Sequence, residues 1–436
     1  MKDIIQPKLL KGFRDSLPST ESIRKHIIAK LEKVFTLSGF LPIDTPAIEY
    51  SEILLGKSGG ETEKQVYKFM DQGEREVALR FDLTVPFARF LAQHRNEILL
   101  PFKRYHIAKV WRGEKPHSGR YREFMQCDFD VVGSDTASAD IEIALLMYRS
   151  MKTLGIQEFK IHVSHRGIFN ALLDVLDLHD QSVDILRLVD KIKKIGEKAV
   201  KEELSSITDK KSCAAILEFI VPAPTFAETL AKVKKLVSAE NPHVQRMTEI
   251  SSLLEEIGIA NFFYFDTSIT RGLDYYTGIV FETFLSGCSE IGSVCSGGRY
   301  DNLVSVYSKE EIPGVGASVG LDRLIAALES LGQLPPVPSG ADVLITCIDE
   351  SIIGHSHKIA EILRSENISV EVFPSKKKLA SQFTFAEKKN IPLAIIIGEQ
   401  EKQQDAVNIR DLRKRENHDH LMLNEAIVII KELLNP

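Results

Sequence analysis

The stretch RGLDYYTGIVFE, residues 271–282, crowds Arg271, Asp274, Tyr275, Tyr276 and Thr277 together just ahead of Gly278 and a strand-like run from Ile279 to Phe284. Hydrogen-bonding groups at the mouth of a strand suit the wall of a polar pocket. Two other stretches carry carboxylates in alternation. Side chains of a strand alternate between its faces. In RFDLTV (80–85), Arg80, Asp82 and Thr84 are therefore expected on one face and Phe81, Leu83 and Val85 on the other. In QCDFDVV (126–132), Gln126, Asp128 and Asp130 share a face opposite Cys127, Phe129 and Val131. Each run alone also fits a strand with one wet face. Together with 271–277 they point to a shared pocket for a cation or a polar small molecule.

A second constellation is cationic. VWRGEKPHSGRYREF (110–124) places Arg112 and Glu114 at the end of one strand-like run, passes through a Pro/His/Ser/Gly loop, and returns through Arg120, Arg122 and Glu123. This is a hairpin with arginines on both arms. GVGASVGLDRLIAAL (314–328) is glycine-rich and then becomes an apolar helix with Arg323 near its start. Close strand–helix packing would also explain its small residues. Its spacing matches neither the P-loop nor the dinucleotide fingerprint. Arginine is nevertheless the side chain suited to multidentate phosphate recognition.

The elements that must position these groups fall into two blocks. Residues 20–38 carry Ile23, Ile27, Leu31 and Val34 at helical spacing and stop at Gly39. Strand-like runs near 77–84, 105–112 and 124–132 are joined by long loops, and a helix follows over about 138–154, so an antiparallel sheet is expected. Residues from roughly 170 to 255 read as a Lys/Glu-rich helical insertion before the sheet resumes at 271. LGQLPPVPSGA (331–341) has the composition of a linker. Beyond it, DVLITCI (342–348), ISVEVF (368–373) and PLAIIIG (392–398) alternate with helix-length segments, 351–366 and 376–389, as in a small α/β domain with a largely parallel sheet. The expected organisation is α+β: a body at 1–330, a linker at 331–341 and a second domain at 342–436.

At 436 residues the chain is too long for one hydrophobic core, which supports this division. Its 44% hydrophobic and 27% charged residues are those of an ordinary globular protein. The N-terminus lacks the apolar core of a secretory signal, and apolar runs such as LAIIIG are too short to span a bilayer. Cys127, Cys213, Cys288, Cys295 and Cys347 are scattered and form no CxxC pair, which argues for reduced thiols in a cytosolic compartment and against structural zinc. No metal site is expected from protein ligands alone. A net charge of −6 does not advertise a nucleic-acid binder, although lysines gather in DKIKKIGEKAVKEEL, KVKKL and PSKKKLASQ. Each such run is more often a solvated helix face than a binding surface, so alone they decide nothing.

The order of the arginine hairpin, RGLDYYTG and the glycine-rich segment with Arg323 resembles the class II aminoacyl-tRNA synthetases, most closely the histidyl-tRNA synthetases. TPAIEY with Pro46 resembles motif 1, WRGE…GRYREF motif 2 and GVGASVGLDRL motif 3. RGLDYYTGIVFE and SVCSGGRYDNL (293–303) resemble the two signatures particular to the histidine enzymes, and KGFRDSLP (11–18) and AEKKNIPLAIIIGE also fit. The resemblance covers nearly the whole chain. It implies a class II catalytic domain built on an antiparallel sheet, a helical insertion and an α/β anticodon-binding domain.

The same resemblance implies histidine activation by ATP, with Mg²⁺, followed by transfer to tRNA(His), in a cytoplasmic homodimer that does not enter a membrane. Arg271 and Arg112 would be the catalytic cations, at the α-phosphate. Asp82, Leu83 and Thr84 would flank the α-ammonium. Gln126, Asp130, Tyr275 and Tyr276 would hold the imidazole and the rest of the amino acid. Arg112, Glu114, Arg120 and Arg323 would serve ATP, with Arg323 towards the γ-phosphate and Glu114 near adenine or a metal.

Three other readings share parts of this pattern. A noncatalytic paralogue that regulates ATP phosphoribosyltransferase has the fold, but that family degrades RGLDYYTG and lacks the anticodon domain; this chain has both. A tRNA-binding or kinase-like regulatory module could dispense with Arg112, Arg271 and Arg323, all present here. Prolyl or threonyl synthetases share the general motifs without Tyr275–Tyr276.

Overall fold

The computed structural model describes residues 5–56, 61–190, 192, 196–269, 275–337 and 339–434. Arg271 and Asp274 lie outside them. By its internal contacts the chain divides into two compact units, Met1–Leu17 with Arg24–Leu334, and Pro18–Ile23 with Pro335–Pro436.

The first unit is organised by an eight-stranded sheet in the order Leu41–Pro42, Phe102–Trp111, Glu123–Val132, Gly314–Gly320, Cys295–Arg299, Ile279–Leu285, Phe159–His165 and Phe263–Phe265. The two edge strands pair in parallel and every pairing between is antiparallel. Alternation divides the central strands as the sequence suggests. Cys127, Phe129, Val315, Val319 and Phe281 are buried on one face, where Phe35 of the helix Pro18–Leu37 meets Phe129 with ring centroids 5.0 Å apart. The other face carries Gln126, Asp128 and Asp130. Between Phe159–His165 and Phe263–Phe265 runs a set of helices that includes Arg166–Val175, Glu197–Ile207, Lys210–Ile220, Phe226–Leu236 and Pro242–Glu256. The capping box of Thr225 and Glu228 and the caps of Asp209 and Asn241 satisfy backbone N–H groups at three of their starts.

One expected strand is shorter than its pattern suggests. The run at 77–84 ends as a strand at Leu79, and a helix, Thr84–Gln93, starts where alternation had been read across 80–85. Arg80 and Asp82 are therefore loop residues, not neighbours on a strand face. Arg80 turns inward, donating to Thr45 O at 2.5 Å and to Lys109 O at 3.0 Å. Asp82 Oδ1 accepts the Val85 N–H at 3.0 Å in the first turn of the helix. Pro86 at the third helical position is tolerated there because first-turn N–H groups lack intrahelical partners.

The second unit holds a five-stranded sheet ordered Val370–Val372, Val343–Ile345, Leu393–Ile396, Ala406–Asp411 and Glu416–Met422. Only the first three strands are parallel. The expected largely parallel sheet is thus a mixed one, completed by an antiparallel hairpin. Helices Ile353–Ser365 and Leu423–Leu434 bury Ile359, Leu363, Ala426 and Ile430 in the same cluster as Ile345, Ile395 and Ile409.

Candidate functional site

A cavity of about 190 Å³ opens on the polar face of the large sheet. Register determines what lines it. Asp130 lies opposite Gly316, Asp128 opposite Ser318, and Gln126 opposite Gly320. One strand further, Gly298 stands opposite Gly316 and Ser296 opposite Ser318; beyond these come Val280 and Glu282. The floor is therefore three polar side chains on one strand facing small residues on the next two, which leaves room above the sheet.

Asp128 and Asp130 line one end, with Asp82 behind Tyr275 and not itself on the cavity wall. Asp82, Asp128 and Asp130 are each buried, and beneath them Arg104, fully buried, reaches Asp130 Oδ2 at 2.7 Å and Asp128 Oδ2 at 4.0 Å. Burial raises the pKa of all three carboxyls, that of Asp128 to about 7, and Arg104 acts against the shift in each. Three tyrosines close over them. Tyr275 donates to Asp82 Oδ2 at 3.2 Å and Tyr300 donates to Asp130 Oδ1 at 2.5 Å. Burial, and then the nearby carboxylates, pushes Tyr275, Tyr276 and Tyr300 well above the ordinary phenol range, so all three remain donors at neutral pH. Gln126 Nε2 donates to Ser318 Oγ at 3.0 Å. Thr84 lines the cavity from the first position of its helix, whereas Leu83 is fully buried in the core and offers the pocket no side chain.

Arginines occupy the hairpin end. Arg112 follows Trp111, which pairs with Glu123, so it lies several rows along the strands from Asp130. Its Nε donates to Phe81 O at 2.9 Å and its guanidinium sits 5.2 Å from the centroid of the Phe124 ring. Arg120 pairs with Glu114 at 3.3 Å. Arg323 donates to Ser293 O at 2.7 Å; burial and the neighbouring Arg120 lower its pKa to about 10, which leaves it charged at neutral pH. All four of Arg112, Glu114, Arg120 and Arg323 line the cavity.

Reading the sequence missed the groups that hold these residues in place. Asp322, beside Arg323, accepts the Met125 N–H at 2.8 Å and binds Arg24 at 2.8 Å and also Arg14, tying the glycine-rich segment to the hairpin strand. Arg14 also lies 3.9 Å from the centroid of the Tyr121 ring. Arg299 bonds Asp140 at 2.6 Å and 3.1 Å. Arg104 and Tyr300 were not assigned a role in the site, and Asp128 was placed on the pocket face without one. Among the described residues, no three or more His, Cys, Asp or Glu side chains gather as a metal cage.

The family described as histidyl-tRNA synthetase matches residues 12–324, and the anticodon-binding domain family matches residues 342–433. A histidine–tRNA ligase of Treponema denticola is 50% identical, covering 100% of both chains. The crystal structure of a histidyl-tRNA synthetase from Nostoc sp. PCC 7120 superposes with a TM-score of 0.90 at 30% identity, over 99% of this chain and 100% of that one. An ATP phosphoribosyltransferase regulatory subunit/histidyl-tRNA synthetase from Bacillus halodurans shares the fold, with a TM-score of 0.75 at 23% identity, over 90% of this chain and 100% of that one. The chain belongs to the histidyl-tRNA synthetase family.

Proposed function

We propose that this pocket joins L-histidine to ATP, releasing pyrophosphate and leaving histidyl-adenylate, and then transfers the histidyl group to the 3′ end of tRNA(His). Ligation of histidine to tRNA is the activity of the family. The observation that carries its assignment to this cavity is the separation of charge along the strands. Carboxylates stand in the rows of residues 128 and 130, and guanidinium groups stand beyond the row of residue 123. An amino acid with a cationic amine fits the first end and a triphosphate the second.

The substrate carboxylate is already ionised at neutral pH, so its attack on the α-phosphorus needs no strong base. The task is to bring an anion to a polyanion and to stabilise charge on the α-phosphoryl group, which fixed cations in a shaped site accomplish. Arg112 and Arg271 take the α-phosphate, Arg323 the γ-phosphate, and Arg120 with Glu114 the remainder of ATP. Asp82 and Thr84 hold the α-ammonium, while Gln126, Asp130, Tyr275 and Tyr276 orient the imidazole and the backbone of the amino acid. Leu83 contributes through packing alone. In the second step the ribose hydroxyl attacks the adenylate carbonyl, and a phosphate oxygen of the adenylate accepts its proton. Mg²⁺ entering with ATP supplies positive charge against the triphosphate. Phosphate oxygens and water would hold most of such an ion's coordination, with Glu114 the carboxylate that would face it.

A buried site built to bond a polar ring rejects analogues without that pattern by roughly 10⁴-fold or more, so no separate editing domain is required. The reading divides the chain into a catalytic body at 1–330 with its insertion at about 170–255, a linker at 331–341 and a tRNA-reading domain at 342–436. In that last domain, Lys376, Lys377 and Lys378 contact phosphates. It also takes the protein to be a cytoplasmic homodimer whose interface includes the segment around Pro46. Five buried, free cysteines suit a reducing compartment. No helix among the described residues is long and apolar enough to cross a membrane. Charging of purified tRNA(His) with labelled histidine tests the reading: acylation of this tRNA and of no other supports it, and its absence in folded protein refutes it.

A further inference from the structure

We infer that Asp128 is a third carboxylate of the amino-acid subsite, and that its free oxygen binds the α-ammonium of histidine together with Asp82. The inference rests on the reading of this pocket as a histidine-activating site. Three observations carry it.

First, Asp128 lines the cavity although only 2% of its surface is exposed. Second, among the described residues its Oδ1 has no hydrogen-bond partner. A buried acceptor left without a donor costs about 1–3 kcal/mol, and more when it is charged, so such a group inside a cavity is expected to find its donor in the ligand. Third, the cations nearby are committed elsewhere. Arg104 sits 2.7 Å from Asp130 but 4.0 Å from Asp128. His106, opposite Asp128 on the neighbouring strand, has its pKa lowered to about 3 by burial and by Arg104 and Arg80, and is therefore neutral. Arg80 also acts on Asp128 but donates to Thr45 O and Lys109 O. The other groups facing Asp128 are Asp130, Asp82, Tyr275, Tyr276 and Ser318, whose hydroxyl bonds its carboxyl, and none of them is a cation.

The arithmetic of charge favours the ammonium. Three buried carboxylates with one buried guanidinium leave a deficit of positive charge at the floor. Tyr300 and Arg104 already occupy both oxygens of Asp130, and Tyr275 and the Val85 N–H both oxygens of Asp82. Among the described residues Asp130 Oδ2 likewise accepts no hydrogen bond but is held by the Arg104 ion pair at 2.7 Å, whereas Asp128 Oδ1 has neither. An ammonium, with three donors, can use it while also reaching Asp82.

The test compares three ligands in the full-length protein and its Asp128→Asn variant: histidine, histidinol, which keeps both the amine and the ring, and imidazolepropionate, which lacks the amine. In the variant the KM for histidine in ATP–pyrophosphate exchange should rise about 10- to 100-fold, as expected for losing a hydrogen bond to a charged group, with the KM for ATP unchanged. Histidinol binding should weaken by a similar factor and imidazolepropionate binding should not. Equal losses for all three ligands would place Asp128 at the ring and overturn the inference. A wild-type KM for histidine would overturn it as well. Parallel losses for histidine and ATP would assign Asp128 a structural role and exclude a contact with the amine. If the asparagine variant does not fold, Asp128→Glu serves in the same comparison, read by the selective change for amine-bearing ligands. Absence of exchange in the wild-type protein would instead refute the underlying reading.

Discussion

Gly316 lies opposite Asp130 on adjacent antiparallel strands, and a Cβ at position 316 would fall 1.8 Å from Asp130 Oδ1. The bare backbone lets that carboxylate lie across the sheet and accept the Tyr300 hydroxyl. The same economy recurs one strand away, where a Cβ on Gly298 would come within 3.0 Å of the Tyr276 ring. These glycines are the depth of the pocket.

Gly316→Ala should therefore displace Asp130 before it disturbs the arginines. Overpacking at such a site costs about 1–3 kcal/mol. The KM for histidine should rise about tenfold or more, with the KM for ATP within about threefold of wild type, both read from exchange kinetics. Equal effects on the two substrates would show that the glycine serves the sheet and not the subsite.

Tyr300→Phe removes the 2.5 Å donor to Asp130 and leaves Arg104 in place. A hydrogen bond to a charged group is worth about 1.5–3 kcal/mol. A fall of roughly 10- to 100-fold in kcat/KM for histidine is expected, with the fold unchanged by circular dichroism. An unaltered kcat/KM would mean that Arg104 alone fixes Asp130.

Arg112 is braced by Phe81 O and the Phe124 ring, so its guanidinium is presented as a fixed fork. Arg112→Ala should lower the exchange rate by about 10²- to 10³-fold, the usual loss on deleting a charge-stabilising donor. Arg112→Lys keeps the charge without the fork and should fall between. Lysine equal to arginine would show that charge alone matters at this position.

Asp128 also makes a prediction about stability. In the unfolded chain its pKa is the ordinary 3.8, and in the folded, ligand-free protein burial pushes it up to about 7. Between those values the folded state holds more protons than the unfolded one, so this group lowers stability as pH rises from about 4 to about 7, with the loss constant above. Asp128→Asn should accordingly be more stable than wild type at pH 8 without histidine, and the difference should shrink towards pH 4. Denaturant melts across that range measure it; a difference independent of pH would show that Asp128 does not hold its proton.

Much of the site was legible because alternation is a local property. Gln126, Asp128 and Asp130 occupy one face as their spacing requires, and the arginine hairpin forms where its loop residues stand. Thr84 reaches the pocket by another route, and Asp82, which does not line it, is joined to it through the Tyr275 hydroxyl. Val85, Phe81 and Leu83 imitate a half-buried strand, but Asp82 accepting the Val85 N–H and Pro86 in the first turn are helix-start signals, and they prevail. Leu83 accordingly packs in the core. What no local pattern could reveal are partners distant in sequence: Arg104 under Asp130, Tyr300 above it, and Asp322 joining Arg24 to Met125. The closing hairpin of the second unit was missed for a different reason. Glu416–Met422 is a largely exposed edge strand of charged and polar residues and lacks an apolar alternation.

The most direct test of the central claim is ATP–pyrophosphate exchange with purified protein, Mg²⁺ and each amino acid in turn, without tRNA. Exchange with histidine alone, lost in Arg271→Ala, is the predicted result. No exchange with any amino acid, in folded protein that still binds histidine, would contradict it and favour the regulatory paralogue.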